Sequence, residues 1–336
     1  MKRLRIDLED IAGFHNLAKA AKNAARAKRH RPEVQTFFHC LDHNLNQLSR
    51  DILAGRVPEG EFKQFRIFDP KERIIHAACF KDRVLHHAIM NLAGPLIDRA
   101  MVASSFACRP DKGIHCGIRH VQSKLRKYPW YVKIDIEHYF DTIDQRLLLQ
   151  LLERRFKGEN FMALVGRIIS GYQTLPGKGL PIGSLASQHF ANYYLDGLDR
   201  HLMETLKAFA HARYMDDVVW WCMDKQAAGR TLAAVEAYLR ERRSLRVKPS
   251  SVQINQSRRG IRFCGFRVLP GAIRLGARRK RRYGALRRKW EGLFISGTID
   301  AKKLQQGYAA VHAMTQHADS MQWRKNHLER SVTIEA

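Results

Sequence analysis

Tyr131, Lys133 and Asp135 alternate with Val132, Ile134 and Ile136, the period of two that marks a strand. A second apolar stretch, from Ala212 to Trp221, is interrupted by Asp216-Asp217. It predicts a hairpin with both arms buried and two adjacent carboxylates at its tip. Trp220 and Trp221 demand a core directly beyond that turn. Residues 9 to 54 predict two helices. In the second, Val34, Phe37, Phe38, Leu41, Leu45, Leu48 and Ile52 recur at helical spacing, and Gly55 follows as a stop. Phe62 to Ile75 is strand-like, with Asp69-Pro70 as a turn, and Phe80 to Leu85 opens another helix. Leu147 to Leu152 is helical, Ala191, Tyr194, Leu195 and Leu198 mark a buried helical face, and Ile261 to Val268 is again strand-like.

Composition adds a partner to this picture. The chain has 336 residues and 45% hydrophobic content, enough for a sizeable core and two or three subdomains. Lys and Arg total 59 against 32 Asp and Glu, a net charge of +27 with an isoelectric point near 10.2, which argues for a polyanionic partner. Nucleic acid fits better than a membrane surface, because no apolar run approaches spanning length and no basic amphipathic helix with aromatic anchors stands out. The basic start Met1-Lys2-Arg3-Leu4-Arg5 lacks the apolar core of a signal peptide. Six scattered cysteines without a C-x-x-C pair predict buried thiols in a reducing cytoplasm. The sixteen histidines show no metal-ligand spacing.

The carboxylates carry the chemistry. Buried paired negative charge is costly unless compensated, and a divalent cation compensates it best. Asp135 leaving a buried strand, with Asp216 and Asp217 on the hairpin, is the minimum oxygen-ligand set for two Mg²⁺ ions, which clamp the attacking and leaving oxygens of a phosphoryl transfer. For the dipeptide alone, an exposed turn is the plainer reading. Lys71 and Arg73, just past the Asp69-Pro70 turn, either grip a triphosphate or face solvent. The loop Gly177 to Gln188 is glycine-rich and enters a helix, where Gly183 permits close backbone approach to a phosphate or sugar. Arg278, Arg279, Lys280, Arg281, Arg282, Arg287, Arg288 and Lys289 form a helical basic run, either a solvated face or a track for a duplex backbone.

With Tyr214-Met215-Asp216-Asp217 as its catalytic hairpin and Asp135 upstream by 81 residues, the chain resembles a reverse transcriptase over roughly residues 60 to 320. The fold so implied is α+β, a right-hand polymerase with fingers, an antiparallel-sheet palm and a helical thumb. Its expected divisions are an N-terminal helical extension at 1–56, fingers and palm at 57–270, and the basic helical thumb at 271–336. The resemblance implies RNA-directed DNA synthesis, with Asp135, Asp216 and Asp217 catalytic and Asp135, Ile136, Asp216 and Asp217 as the metal-site set for two Mg²⁺ ions, Mn²⁺ being a substitute. It assigns nucleotide contacts to Lys71, Arg73, Phe140, Ile182, Gly183, Gln188 and Lys248, with Phe140 beneath the ribose and Lys248 near the leaving group. Arg109, Lys112 and the cluster Arg278, Arg279, Lys280, Arg281 and Arg282 are its expected nucleic-acid contacts.

The loop form Ile182-Gly183…Ser187-Gln188, where most reverse transcriptases carry Gln-Gly and Ser-Pro, is similar to the enzymes of diversity-generating retroelements. Arg109-Pro110-Asp111-Lys112-Gly113, the short chain and the lack of an endonuclease or ribonuclease H segment agree with that subtype. Its implied partners are a template RNA, the cDNA/RNA duplex, deoxynucleoside triphosphates and a small basic accessory variability protein, without a membrane, in a bacterial or phage-encoded cytoplasmic setting. Group II intron and retron enzymes share the same palm. A non-catalytic RNA-binding scaffold of polymerase fold is the rival of another class, and three carboxylates held together argue against it.

Overall fold

A computed structural model describes residues 3–68 and 72–330. The chain forms two compact units that interleave along the sequence. One comprises Met1–Ala103, Asp135–His201 and Ala234–Pro249, and the other Ser104–Ile134, Leu202–Ala233 and Ser250–Ala336.

The first unit is built on the helix Phe80–Ala100, whose Val84, Leu85, Ala88, Ile89, Ala93 and Ile97 are buried at helical spacing. The helices Phe14–Ala24 and Leu185–Tyr194 pack against it. The expected pair of N-terminal helices is four: Leu8–Ala12, Phe14–Ala24, Pro32–His39 and Leu41–Leu53. The apolar periodicity runs unbroken from Val34 to Ile52, yet Cys40 leaves helical geometry at φ −116° and ψ 47°. Asn44 Nδ2 donates to the carbonyl of Phe37 across the break, at 2.9 Å, satisfying an acceptor the lost turn would strand. Phe37 meets Phe80 edge-on, with ring centroids 5.0 Å apart. The hairpin Phe62–Phe68 with Glu72–Ala78 pairs in antiparallel register, Phe65 opposite Ile75 and Ile67 opposite Arg73. Its turn, and Lys71 with it, lies outside the described residues.

The second unit holds a four-stranded antiparallel sheet in the order Ala210–Tyr214, Asp217–Cys222, Trp130–Ile134, Gln253–Gln256. On one face, Tyr131, Val219, Trp221, Ala210 and Ala212 join a core with Ile118, Val121 and Leu125 of the helix Ile114–Lys127 and with Phe263 and Phe266. Both tryptophans are fully buried, as the sequence demanded. Trp220 points to the opposite face and donates its indole N–H to Thr231 Oγ1 at 3.0 Å. The stretch Ile261 to Val268 is a hairpin, Ile261–Phe263 and Phe266–Val268, extended by Ile273–Leu275. The helices Ala277–Ile295, Ala301–Ala313 and Met321–Glu329 follow. Gly307 lets the first two cross closely, since a Cβ there would lie 2.3 Å from the Trp290 ring.

Candidate active site

The strands Ala210–Tyr214 and Asp217–Cys222 close through a two-residue turn, Met215-Asp216, with Tyr214 paired to Asp217. Met215 adopts φ +57°, a left-handed conformation uncommon outside glycine. Arg213, fully buried, stabilises it by donating from Nη1 to the Met215 carbonyl at 3.2 Å. The strand is also held from the other side, where Arg213 N donates to Ser104 O and Phe106 N donates to Arg213 O, at 3.0 and 2.9 Å. The turn therefore presents Asp216 and Asp217 from a braced backbone.

Lys133 lies opposite Val219 in the ladder, so its side chain shares a face with Asp217 two residues away. Its ammonium is 3.2 Å from Asp217 Oδ1, and both side chains are largely shielded. Burial, followed by the field of Asp217, pushes the nearby Cys264 thiol far up, so it is a neutral wall of this site.

Asp135 is the residue after the strand Trp130–Ile134, and its half-buried backbone is tied to a later segment of its own unit. Its carbonyl accepts from Lys248 N at 2.9 Å, Ile136 bridges Val247, and Glu137 N donates to Arg246 O at 2.9 Å. The structure thus brings Asp135, Ile136 and Lys248 together. Phe140 sits half-buried in the short helix Tyr139–Thr142, while its neighbour Tyr139 is buried and donates its hydroxyl to the Ala191 carbonyl.

The glycine loop is clasped by the Glu72–Ala78 strand. His76 N donates to Ile182 O at 2.9 Å. Gly183, at φ +113°, has room for no side chain, because a Cβ would lie 2.8 Å from Ile75 Cγ2. Ser184 caps the helix Leu185–Tyr194 by accepting from Ser187 N, and its hydroxyl lies 3.3 Å from His86 Nδ1. Burial lowers the His86 pKa to about 4, so this histidine is a neutral hydrogen-bonding group. Ile182 and Gln188 are half-buried on the same loop and helix, and Arg73 is exposed on the clasping strand.

The basic candidates divide. Arg109 donates to Ser105 O at 3.0 Å and the Lys112 ammonium lies 5.5 Å from the Phe106 ring centroid, so both help hold their own loop. Arg278, Arg281 and Arg282 are exposed. Arg279 and Lys280 instead pack over rings, Arg279 4.2 Å from the Phe266 centroid and Lys280 5.3 Å from that of Trp323. Lys133 and Arg213 escape a reading of the sequence, because strand register and the buried turn put them where they act.

A family model described as reverse transcriptase (RNA-dependent DNA polymerase) matches residues 68–268, more than half of the chain. The chain belongs to the reverse transcriptase family. Membership carries the α+β right-hand architecture and the activity of an RNA-directed DNA polymerase. This reverse transcriptase is similar to Protein YkfC of Escherichia coli (strain K12), 24% identical over 355 residues that span 89% of this chain and 88% of YkfC. It is 24% identical to Group II intron-encoded protein LtrA of Lactococcus lactis subsp. cremoris over 147 residues, 41% of this chain and 24% of LtrA. The Putative COX1/OXI3 intron 2 protein of Saccharomyces cerevisiae is 26% identical over 177 residues, covering 47% of this chain and 20% of that protein. Among solved structures, telomerase from Candida tropicalis with a telomeric RNA fragment superposes with a TM-score of 0.48 at 11% identity, over 85% of this chain and 58% of the telomerase.

Reverse transcriptases generally use divalent metal ions. The Met215-Asp216 turn suits one chemically, since Asp216 and Asp217 are adjacent hard oxygen donors, half-buried, with an ammonium beside one of them. Among the described residues, no group of three or more His, Cys, Asp or Glu side chains is disposed around a single ion. No helix of these residues is long and apolar enough to cross a membrane.

Proposed function

We propose that this reverse transcriptase copies RNA by two-metal nucleotidyl transfer, with Asp135, Asp216 and Asp217 as the carboxylates that hold the ions. One observation carries the reading. Ile134 pairs with Val218 across the sheet, and in the chain Asp135 follows Ile134 while Asp217 precedes Val218. When bound, the ions would supply positive charge at the attacking and leaving oxygens of the transfer. The chain's own part is to aim and hold. Arg213 sets the turn through the Met215 carbonyl, and Lys133 offsets part of the charge that two neighbouring carboxylates bring together. Half-buried Phe140 offers a ring edge to a sugar, and the clasped Ile182-Gly183 backbone offers a close-approach surface to a nucleotide. Lys248, tied to Asp135, supplies a cation for a polyphosphate leaving group. Arg73, Lys71 and Gln188 complete the proposed nucleotide contacts, and Arg109, Lys112 and the run Arg278 to Arg282 the nucleic-acid contacts.

Within that activity, the form Ile182-Gly183…Ser187-Gln188 supports the diversity-generating subtype, which copies a template RNA with errors at adenines and works with a small basic accessory protein. The likeness to intron-encoded proteins favours a second reading, a group II intron-type enzyme. Sequencing cDNA made by the purified protein on a defined RNA separates them. Substitutions concentrated opposite template adenines support the first, and an even spectrum across the four bases supports the second. Absence of primer extension by a folded wild-type protein would remove both.

A further inference from the structure

The helices Ala301–Ala313 and Met321–Glu329 bound a groove of about 500 Å³ that the polymerase reading leaves unused. Tyr308 and His312 line it from one helix and Met321, Arg324 and Lys325 from the other, with Tyr283 between them. Their spacings of three and four residues put each set on one helical face. The helix Met321–Glu329 has no buried residue, and its groove-side Met321 and Leu328 are 66% and 44% exposed. Met321 and Leu328 therefore leave apolar surface in solvent at the groove, beside the cations of the same helix.

The lining chooses the occupant. Its charged groups, Arg324 and Lys325, are cationic, His312 adds an imidazole, and its lining holds no carboxylate. Below it, Arg287 Nε lies 3.0 Å from Glu291 Oε1, with side chains only 1% and 3% exposed, and Glu291 accepts the Tyr308 hydroxyl. Isolating an ion pair from water costs more than packing apolar side chains of equal volume. Here the pair anchors the hydroxyl end of a ring that lines the groove, so Tyr308 is fixed before anything binds. A fixed aromatic ring beside cations is the combination that takes a stacked base and its flanking phosphate.

We propose that this groove is a subsite for an unpaired nucleotide of a single-stranded nucleic-acid extension, stacked on Tyr308 with its phosphates at Arg324 and Lys325. The proposal rests on the nucleic-acid-copying reading above. An acidic peptide would match the charge alone. The half-exposed Tyr308 ring, and the exposed Arg281, Arg282 and Arg288 on the helix Ala277–Ile295, favour the nucleic acid.

Fluorescence anisotropy of the full chain with two labelled RNA hairpins tests it, one blunt and one carrying an unpaired extension of about six nucleotides. Wild type should bind the extended hairpin more tightly. Tyr308→Leu, and separately Lys325→Glu on an exposed position, should weaken the extended hairpin by about tenfold and leave the blunt one within about twofold. Equal weakening of both hairpins would reduce the groove to bulk charge and overturn the proposal. Unchanged binding of both would also overturn it and leave the groove to an acidic peptide. Because Lys325 is an exposed position, Lys325→Glu decides the matter even where Tyr308→Leu fails to fold. Failure of wild type to bind either hairpin would instead bring down the nucleic-acid reading itself.

Discussion

Lys133 and Asp217 face each other diagonally across one rung of the central sheet, with 3.2 Å between ammonium and carboxylate. Asp216 adjoins Asp217, so this lysine offsets only part of the charge the turn concentrates. Lys133→Met should destabilise the protein by about 1–2 kcal/mol in a chelator, between the values for exposed and buried pairs. Added Mg²⁺ should recover most of that loss, since an ion that binds only the folded state stabilises it. Thermal melts of both proteins across a Mg²⁺ titration measure this. A deficit that ignores Mg²⁺ would confine Lys133 to packing.

Asp216→Asn and Asp135→Asn should each lower primer extension on an RNA template by at least about a hundredfold, because a neutral amide weakens the hold on the cations that would face the reacting phosphate. Circular dichroism should show unchanged folding. Extension at wild-type rates by either folded variant would free that residue from the proposed metal site.

Phe140 leaves part of its ring uncovered beside the buried Tyr139. Phe140→Ala should raise ribonucleotide incorporation relative to deoxyribonucleotide, read out by alkaline cleavage of the product strand. Identical sugar selectivity in the two proteins would make Phe140 a packing residue.

Gly183→Ala should cost about 1–3 kcal/mol of stability, because alanine meets both a positive φ and the methyl of Ile75. Chemical denaturation measures it. An unchanged midpoint would mean that the Glu72–Ala78 strand yields, and that its clasp on the loop is loose.

Buried His86 makes the fold acid-sensitive. Its pKa is held at about 4 in the native state against an ordinary 6.5, so the unfolded chain binds the proton more readily. The stability that His86 contributes is complete above pH 6.5 and declines as pH falls toward 4, by about 3 kcal/mol in all. His86→Gln, which takes up no proton there, should flatten the dependence of the urea midpoint on pH between 7 and 4.5. A variant with the wild-type slope would assign the acid sensitivity elsewhere, His120 being lowered in the same way.

Much of the site could be read from residue order alone. Alternation along Val132 to Ile136 and a charged dipeptide between apolar arms are local signals, and both mark strands, the first of which, Trp130–Ile134, ends just before Asp135. Long-range relationships were not legible. Lys133 is an ordinary strand lysine until the ladder register sets it beside Asp217, and Arg213 is one arginine among many until the fold buries it under Met215. Periodicity cannot announce a break such as Cys40, because the helices on either side keep their apolar phase toward one core. The basic run looked uniform, yet Arg279 and Lys280 turn inward over Phe266 and Trp323, which lie far away in sequence.

The interleaving of the two units also governs how the protein is made. The chain passes from one unit to the other five times, and the first unit receives its last piece only with Ala234–Pro249. A ribosome must therefore deliver 249 of 336 residues before that unit can close. Until then Tyr194, which donates to the Arg243 carbonyl and accepts from the Arg243 guanidinium, lacks that partner, so synthesis leaves the helix Leu185–Tyr194 waiting for late-arriving chain. Slowed translation before residue 234 should lengthen that wait and lower the soluble yield, while a pause placed after the helix Met321–Glu329 should not.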